Sequence, residues 1–370
     1  MTARALAVLA LGFVFGGRAE ADLLDYVKRP EPAARWEKRS DRVSDGVRII
    51  EVELVSQVWQ DAPWRHRLRL SLPSRPSESD LAVLVVTGGS RSWIEDEKTF
   101  VASTGVPLAV LGDVPNQPLF RRHEDALIAY TFEQYLRSPS DDWPLLFPMT
   151  KAAVRAMDAV AEIARQETGK AIGRFVVSGA SKRGWTSWLA AVADPRVAGI
   201  APMVFDNLNF ARQMKNQLAV WGAYSPELGD YSERGLQALI ETERGQKLVS
   251  MVDPAAYRDS LARIPKLVVS GSNDPYWELD AVNLYWSDLG GAKSLLVVPN
   301  AGHDAPSDAR TEKTLPAFVR RIVERRPMPE LRLEAVEPPR VSIVSNEPSA
   351  SVRVWRAESP TRDFREARWT

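Results

Sequence analysis

One serine, one histidine and one aspartate carry the chemistry this sequence can do. Ser181 lies in Phe175-Val-Val-Ser-Gly-Ala-Ser-Lys-Arg-Gly-Trp185, where an apolar strand pattern runs into Gly-x-Ser and a helical pattern begins at once. A turn that tight requires small residues beside the serine, the arrangement of a nucleophile elbow. The spacing is Gly-x-Ser-x-x-Gly: Arg183 stands at the fifth position, where glycine is usual, and Gly184 follows it. The competing reading is a serine that caps the next helix.

A hydroxyl becomes a nucleophile only when a neighbouring base takes its proton, and the chain has three histidines. His66 lies inside an alternating strand pattern and is expected at a surface or edge. His123 opens a helical pattern and reads as a solvated helix-start residue. His303 differs, because it follows the last apolar strand in Val298-Pro-Asn-Ala-Gly-His-Asp304. It is the expected base. Asp274, in Ser270-Gly-Ser-Asn-Asp-Pro-Tyr-Trp277, lies just past the preceding apolar strand and is expected to orient the imidazole. Glu278 and Asp280 fall further into the next helical pattern and are expected to be solvated. The order Ser181, Asp274, His303 is nucleophile, acid, base, as in α/β-hydrolases. Such a triad cleaves an ester or an amide and needs no metal or organic cofactor.

Donors for the oxyanion are expected from the backbone at Gly88 and Gly89, which end an early strand, and at Lys182, the residue after the nucleophile. A plain glycine-rich turn accounts equally well for the glycine pair, which lacks the spacing of a phosphate-binding loop. Trp93, Trp221 and Trp277 fall in regions that would rim the site, and sugar or aromatic groups would suit them.

The elements that must position these residues follow from hydropathy. Segments 48–55 and 64–72 alternate apolar and polar side chains, as half-exposed antiparallel strands do. Segments 81–86, 107–111, 174–178, 199–205, 266–270 and 294–298 are nearly continuous apolar runs, the mark of parallel strands covered on both faces. Helical patterns at 124–136, 150–166, 183–192, 279–289 and 315–324 are interleaved with them. The fold class is therefore α/β, a mostly parallel sheet with antiparallel leading strands. Residues 205–263, after the sixth strand pattern, read as a helical and loop insertion over one end of the sheet. Residues 22–44 read as a short helix and loop. The domain is expected to span 22–326. From 327 to 370 a linker leads to 340–345 and 351–355, which alternate like hairpin strands of a short, incomplete β segment.

Composition narrows the alternatives. The 370 residues hold 48 basic and 48 acidic side chains and no cysteine. Zero net charge argues against a nucleic-acid or anionic-membrane binder. Without cysteine there is no disulfide scaffold, thiol nucleophile or thiolate metal site. Residues 1–21 carry a basic start, a short apolar run and an Ala-x-Ala-like end, the layout of a secretory signal peptide. Export to a periplasm or the extracellular medium is expected, with no membrane span in the mature protein.

Several strings are long and unusual: Glu124-Asp-Ala-Leu-Ile-Ala-Tyr-Thr131, Pro148-Met-Thr-Lys-Ala-Ala-Val-Arg-Ala-Met-Asp158, Ser178-Gly-Ala-Ser-Lys-Arg-Gly-Trp185 and Asp206-Asn-Leu-Asn209. In these the chain resembles the PhoPQ-activated pathogenicity-related protein family, related to autocrine proliferation repressor proteins. The resemblance runs from about Asp22 to the end and implies an α/β-hydrolase fold. Lys151 and Asp206 belong to these strings without an evident chemical role. The elbow is also similar to that of glucuronoyl esterases, whose basic residue after the serine implies that Lys182 helps to stabilise the oxyanion. The expected activity is an exported serine esterase acting on a carbohydrate or small ester. The alternatives are a serine peptidase or a hydrolase fold kept for binding or signalling.

Overall fold

The computed structural model describes residues 22–370 apart from 77, 91, 95, 139, 338, 339 and 350. The expected signal peptide, 1–21, lies outside the described residues. A short helix α1 (Leu23–Lys28) precedes three antiparallel strands, β1 (Arg35–Ser44), β2 (Val47–Trp59) and β3 (Ala62–Leu72). Then come β4 (Leu81–Val86), α2 (Glu97–Thr104), β5 (Leu108–Leu111), α3 (Glu124–Arg137), α4 (Leu146–Thr168), β6 (Arg174–Ala180), α5 (Lys182–Ala193) and β7 (Val197–Met203). The insertion opens with α6 (Phe210–Trp221) and continues through short turns and the helix Glu243–Val252. β8 (Lys266–Gly271), β9 (Lys293–Val298) and the helix Ala309–Val323 complete the domain. The described strands form one nine-stranded sheet in the order β1-β2-β3-β5-β4-β6-β7-β8-β9, parallel from β5 onward.

The continuous apolar runs follow from two buried faces. In β4, Ala82, Leu84 and Val86 point into a core shared with α4 and α5, whereas Leu81, Val83 and Val85 point into a second core shared with α2 and the helix Ala309–Val323. Every residue of β4, β5 and β8 is buried. A period-2 polar pattern would place polar side chains in one of the two cores.

Four sequence expectations are corrected. Residues 22–44 hold a strand as well as a helix: β1 pairs with β2 along its length. Its side chains are mostly exposed, because it is the sheet edge. There backbone pairing with β2 holds it, with the ion pairs Lys38–Glu167 at 2.7 Å and Arg48–Asp41 at 2.6 Å alongside. Residues 279–289 form two 3₁₀ turns, Ala281–Leu284 and Trp286–Asp288, rather than a helix. Tyr285 between them leaves helical geometry (φ −142°, ψ −14°), and its hydroxyl donates to buried Asp206. The carboxyl-terminal hairpin pairs β10 (Leu331–Glu337) with β11 (Arg340–Ser345), so the partner of 340–345 precedes it, and 351–355 is not a strand. His66 is buried, not at a surface, because its ring is enclosed by Trp64, Ser56 and the segment after β5, whose Asp113 carbonyl it bonds.

Lys151 acquires a structural role. Its ammonium, buried on α4, donates to the Arg29 carbonyl at 3.1 Å and pairs with Glu31 at 3.3 Å. The segment after α1 is thereby fastened to the domain.

Candidate active site

Ser181 joins β6 to α5. Its backbone, φ +57° and ψ −128°, is a conformation that L-residues seldom adopt, and its side chain makes no capping hydrogen bond. A capping serine would have extended backbone angles and bond an N–H of the first turn, so the cap reading fails. Strain of this kind costs of order 1–3 kcal/mol and persists only where its surroundings hold it. Here the Ser181 N–H donates to the Met203 carbonyl of β7 at 2.8 Å.

Two glycines make the turn possible. A β-carbon on Gly179 would lie 2.5 Å from the Arg183 carbonyl oxygen, and one on Gly184 would lie 2.9 Å from the Met203 carbonyl oxygen. Gly184 is thus the residue that brings α5 against β7, one position later than usual. Arg183 is free to carry a long side chain because its Cα does not face that contact.

That side chain is buried. Its Nε donates to the Val114 carbonyl at 2.5 Å, and its two terminal nitrogens donate to Glu124 at 2.7 and 2.6 Å. Lys182 Nζ lies 2.9 Å from Glu124 and 3.0 Å from Asp125. Asp125 also accepts from the Tyr231 hydroxyl of the insertion at 2.9 Å. Burial pushes the Glu124 carboxyl up, but Arg183 and then Lys182 outweigh it and hold the group well below the ordinary carboxylate range. Two cations thus meet two carboxylates behind the serine, leaving no net charge. The ammonium of Lys182 is engaged by these acids.

Asp274 follows β8 and His303 follows β9. His303 Nδ1 lies 3.0 Å from Asp274 Oδ2 and 3.2 Å from Oδ1. The Tyr276 ring lies against the imidazole, with centroids 4.2 Å apart and planes at 31°. His303 Nε2 is buried without a hydrogen-bond partner among the described residues. The structure therefore brings Asp274 and His303 into contact and sets Ser181 on the same strand-end edge of the sheet. His66 stays apart, bonded to Ser56 Oγ at 2.9 Å and the Asp113 carbonyl at 3.1 Å, with burial pushing its pKa down to about 4. His123 is an exposed residue at the start of α3.

The acid loop is held from three sides. From the insertion, Gln217 donates to the Tyr276 carbonyl at 3.0 Å and Ser225 Oγ to the Pro275 carbonyl at 2.7 Å. Glu278, expected to be solvated, is instead buried and accepts from Asn216 at 3.1 Å. From below, buried Asp206 accepts from the Tyr285 hydroxyl at 2.5 Å and from Ser270 Oγ at 3.4 Å. Burial, with the Asp274 charge adding to it, raises Asp206 to about 7 despite the Tyr285 bond. From outside comes the carboxyl-terminal segment. Asn273 Nδ2 donates to the carbonyls of Phe364, Arg365 and Ala367 at 3.1, 3.0 and 2.7 Å. Asn300, on the base loop, exchanges two hydrogen bonds with the Trp369 backbone at 2.8 Å each. Asp280 pairs with Arg362.

Of the three tryptophans, Trp277 lines the cavity that Ser181 opens into. Trp93 lines a separate cleft beside α2 and the helix Ala309–Val323, and Trp221 is covered by the Arg365 guanidinium 4.0 Å from its ring. Gly88 lies beneath Arg183, so its missing side chain makes room for the guanidinium; a β-carbon on Gly89 would meet nothing within 4 Å. Sequence reasoning missed Glu124, Asp125 and Tyr276. The first two belong to one of the unusual strings, which is the signal that could have found them; Tyr276 had none. Among the described residues no group of three or more His, Asp or Glu side chains is placed to hold a metal, and no helix is long and apolar enough to cross a membrane.

Residues 23–365 match the family described as PhoPQ-activated pathogenicity-related protein. Autocrine proliferation repressor protein A of Dictyostelium discoideum is 32% identical over 377 residues, spanning 92% of this chain and 75% of that one. An acetyl xylan esterase from Paenibacillus sp. R4 is similar with a TM-score of 0.53 and 17% identity, over 80% of this chain and 90% of that one. An S-formylglutathione hydrolase from Agrobacterium tumefaciens is similar with a TM-score of 0.51 and 14% identity, over 78% and 99%. With the sheet order above, these likenesses give the chain an α/β-hydrolase fold.

Proposed function

The chain belongs to the PhoPQ-activated pathogenicity-related protein family, and we propose that it is an exported serine hydrolase that cleaves carboxylic esters. The observation that carries this reading is the backbone of Ser181, held at φ +57° with its hydroxyl uncommitted to helix capping. Strain of this kind clusters at active sites and persists only where the surrounding structure holds it. The Asp274–His303 contact on the same edge supports it.

In the proposed reaction Ser181 Oγ attacks the ester carbonyl while His303 Nε2 takes its proton. Asp274 holds the imidazole tautomer and stabilises its protonated form. The oxyanion is met by the N–H of Lys182, which as the first residue of α5 has no intrahelical partner, and by the backbone after β4 at Gly88 and Gly89. The alcohol leaves with the proton from His303. Water then attacks the acyl-serine, His303 takes its proton and returns one to Ser181, and the carboxylic acid departs.

A fluorophosphonate probe tests this directly: labelling of the purified protein that vanishes in Ser181→Ala is expected. Absence of labelling in a folded sample would sink the hydrolase and select a second reading, a hydrolase fold kept for binding or signalling. That reading is favoured by the unpartnered His303 Nε2 and by a relative named as a proliferation repressor. A panel of ester and peptide substrates separates esterase from peptidase. Export rests on the pattern of residues 1–21, and amino-terminal sequencing of the secreted protein should begin near Asp22; a cytosolic product retaining Met1 would refute it.

A further inference from the structure

Beside Ser181 a cavity of about 100 Å³ runs between α3, the insertion and the acid loop. Phe132, Trp185, Phe210, Met214, Leu236 and Ile240 make up much of its wall. Its charged members, Asp125 and Lys182, are paired with each other at 3.0 Å, and Asp125 is bonded to Tyr231 as well. Resting on the serine-hydrolase reading above, we propose that this cavity takes a short apolar arm of the ester, a linear or branched alkyl group of about three to five carbons.

The size sets the upper limit. An apolar cavity of roughly 150 Å³ takes up benzene, so this one suits a short alkyl chain better than a bulky ring. The lining sets the chemistry. A sugar buried here would find few partners for its hydroxyls, since beyond Ser181, Asn207, Gln237, two tyrosines and the charged pair the wall is aromatic and aliphatic carbon, and each hydroxyl left unpaired costs about 1–3 kcal/mol. The Lys182 and Asp125 charges are already met, Lys182 by Glu124 and Asp125, and Asp125 by Lys182 and the Tyr231 hydroxyl, so they offer no free charge to a charged arm. The carbohydrate preference expected from the scattered tryptophans thus loses most of its basis at this position: Trp93 and Trp221 lie elsewhere, and Trp277 alone of the three lines the cavity. The insertion supplies most of the wall, so it is the element that sets substrate preference.

The arm is either the acyl or the alcohol side of the ester, and two substrate series tell them apart. In one, p-nitrophenyl acetate, butanoate, hexanoate and dodecanoate are compared; in the other, methyl, butyl and benzyl acetate, with a peracetylated monosaccharide beside them. In the series that enters the cavity, kcat/KM should rise by about fourfold per added methylene up to four to six carbons and then fall. Met214→Trp on α6 and Ile240→Trp in the turn after Leu236–Leu239, which fill the cavity from different places, should each abolish that rise. Acetyl preferred in the first series and methyl in the second, a peracetylated sugar preferred over both, or a preference indifferent to both tryptophan variants would overturn the proposal. A binding measurement keeps it separate from the hydrolase reading: 2-hexanone titrated into Ser181→Ala should change the fluorescence of Trp185 and Trp277, and should not in the filled variants. Binding without turnover in the native protein would support the cavity and sink the hydrolase, whereas turnover without chain-length preference would sink the cavity alone.

Discussion

The Arg183 guanidinium lies directly across Gly88, so close that a β-carbon on the glycine would fall 2.2 Å from its Nη2 atom. A flexible arginine could ordinarily swing away from such a clash. Here the same group bonds the Val114 carbonyl and both Glu124 oxygens in a buried place, so moving it leaves charge unpaired.

Gly88→Ala is therefore expected to lower stability by about 3 kcal/mol, nearer the cost of breaking a buried ion pair than of adding a methyl group. Urea unfolding checks it. Gly89→Ala, with open space around its β-carbon, should change stability by well under that.

Asp274→Asn leaves the shape of the acid loop in place but removes the charge that orients His303. Ester kcat is expected to fall about a thousandfold or more, with fluorophosphonate labelling slowed in parallel. Stability should change far less, and a thermal melt distinguishes loss of chemistry from loss of fold.

Asp206 offers a pH test. Its folded-state pKa is raised to about 7 from an ordinary value near 3.8. Between those values the folded state binds the extra proton, so this group's contribution to stability declines as pH rises through the window. Asp206→Asn keeps an acceptor for the Tyr285 hydroxyl and removes the titration. The melting temperature of the variant minus that of the native protein should increase from pH 5 to pH 8. The difference cancels the opposite trend from His66, which is depressed to about 4 by burial and loses stability as pH falls. A flat difference would show that Asp206 does not titrate there.

Asn273 precedes Asp274 and holds three carbonyls of the carboxyl-terminal segment. Asn273→Ala should loosen that segment, seen as faster proteolysis after residue 356. Severalfold loss of kcat is expected, since Asp274 is the next residue along the chain. Ser345→Ala, in the distant hairpin, serves as the control and should leave kcat unchanged.

Much of the fold was legible because hydropathy reports burial. β4 reads Leu-Ala-Val-Leu-Val-Val since it is covered on both faces, and the same logic located β6 and β8; β9, also expected to be covered on both faces, is instead the half-exposed sheet edge despite its apolar run. The logic failed where another force fixes the chain. β1 is held by backbone pairing and ion pairs at an edge, so it has no apolar pattern to read. The segment 279–289 has helical hydropathy, yet it forms two 3₁₀ turns broken at Tyr285, whose hydroxyl bonds buried Asp206. Buried Glu278 failed similarly: a carboxyl beside a helical pattern reads as solvated, and only the insertion folding back supplies Asn216 to it.

By itself the sequence put Ser181, Asp274 and His303 at the ends of apolar strands, where the structure has them, because strand ends and glycine spacing are local features written in consecutive residues. Ser181, Asp274 and His303 each needed only an apolar strand behind them. Tertiary structure alone decided what surrounds those groups. The Arg183–Glu124 bond joins residues 59 apart, Asn273–Ala367 joins residues 94 apart, and the cavity wall is assembled from α3, the insertion and the acid loop. No local pattern encodes such contacts, since each partner's hydropathy is satisfied in many arrangements and only packing of the whole chain selects one.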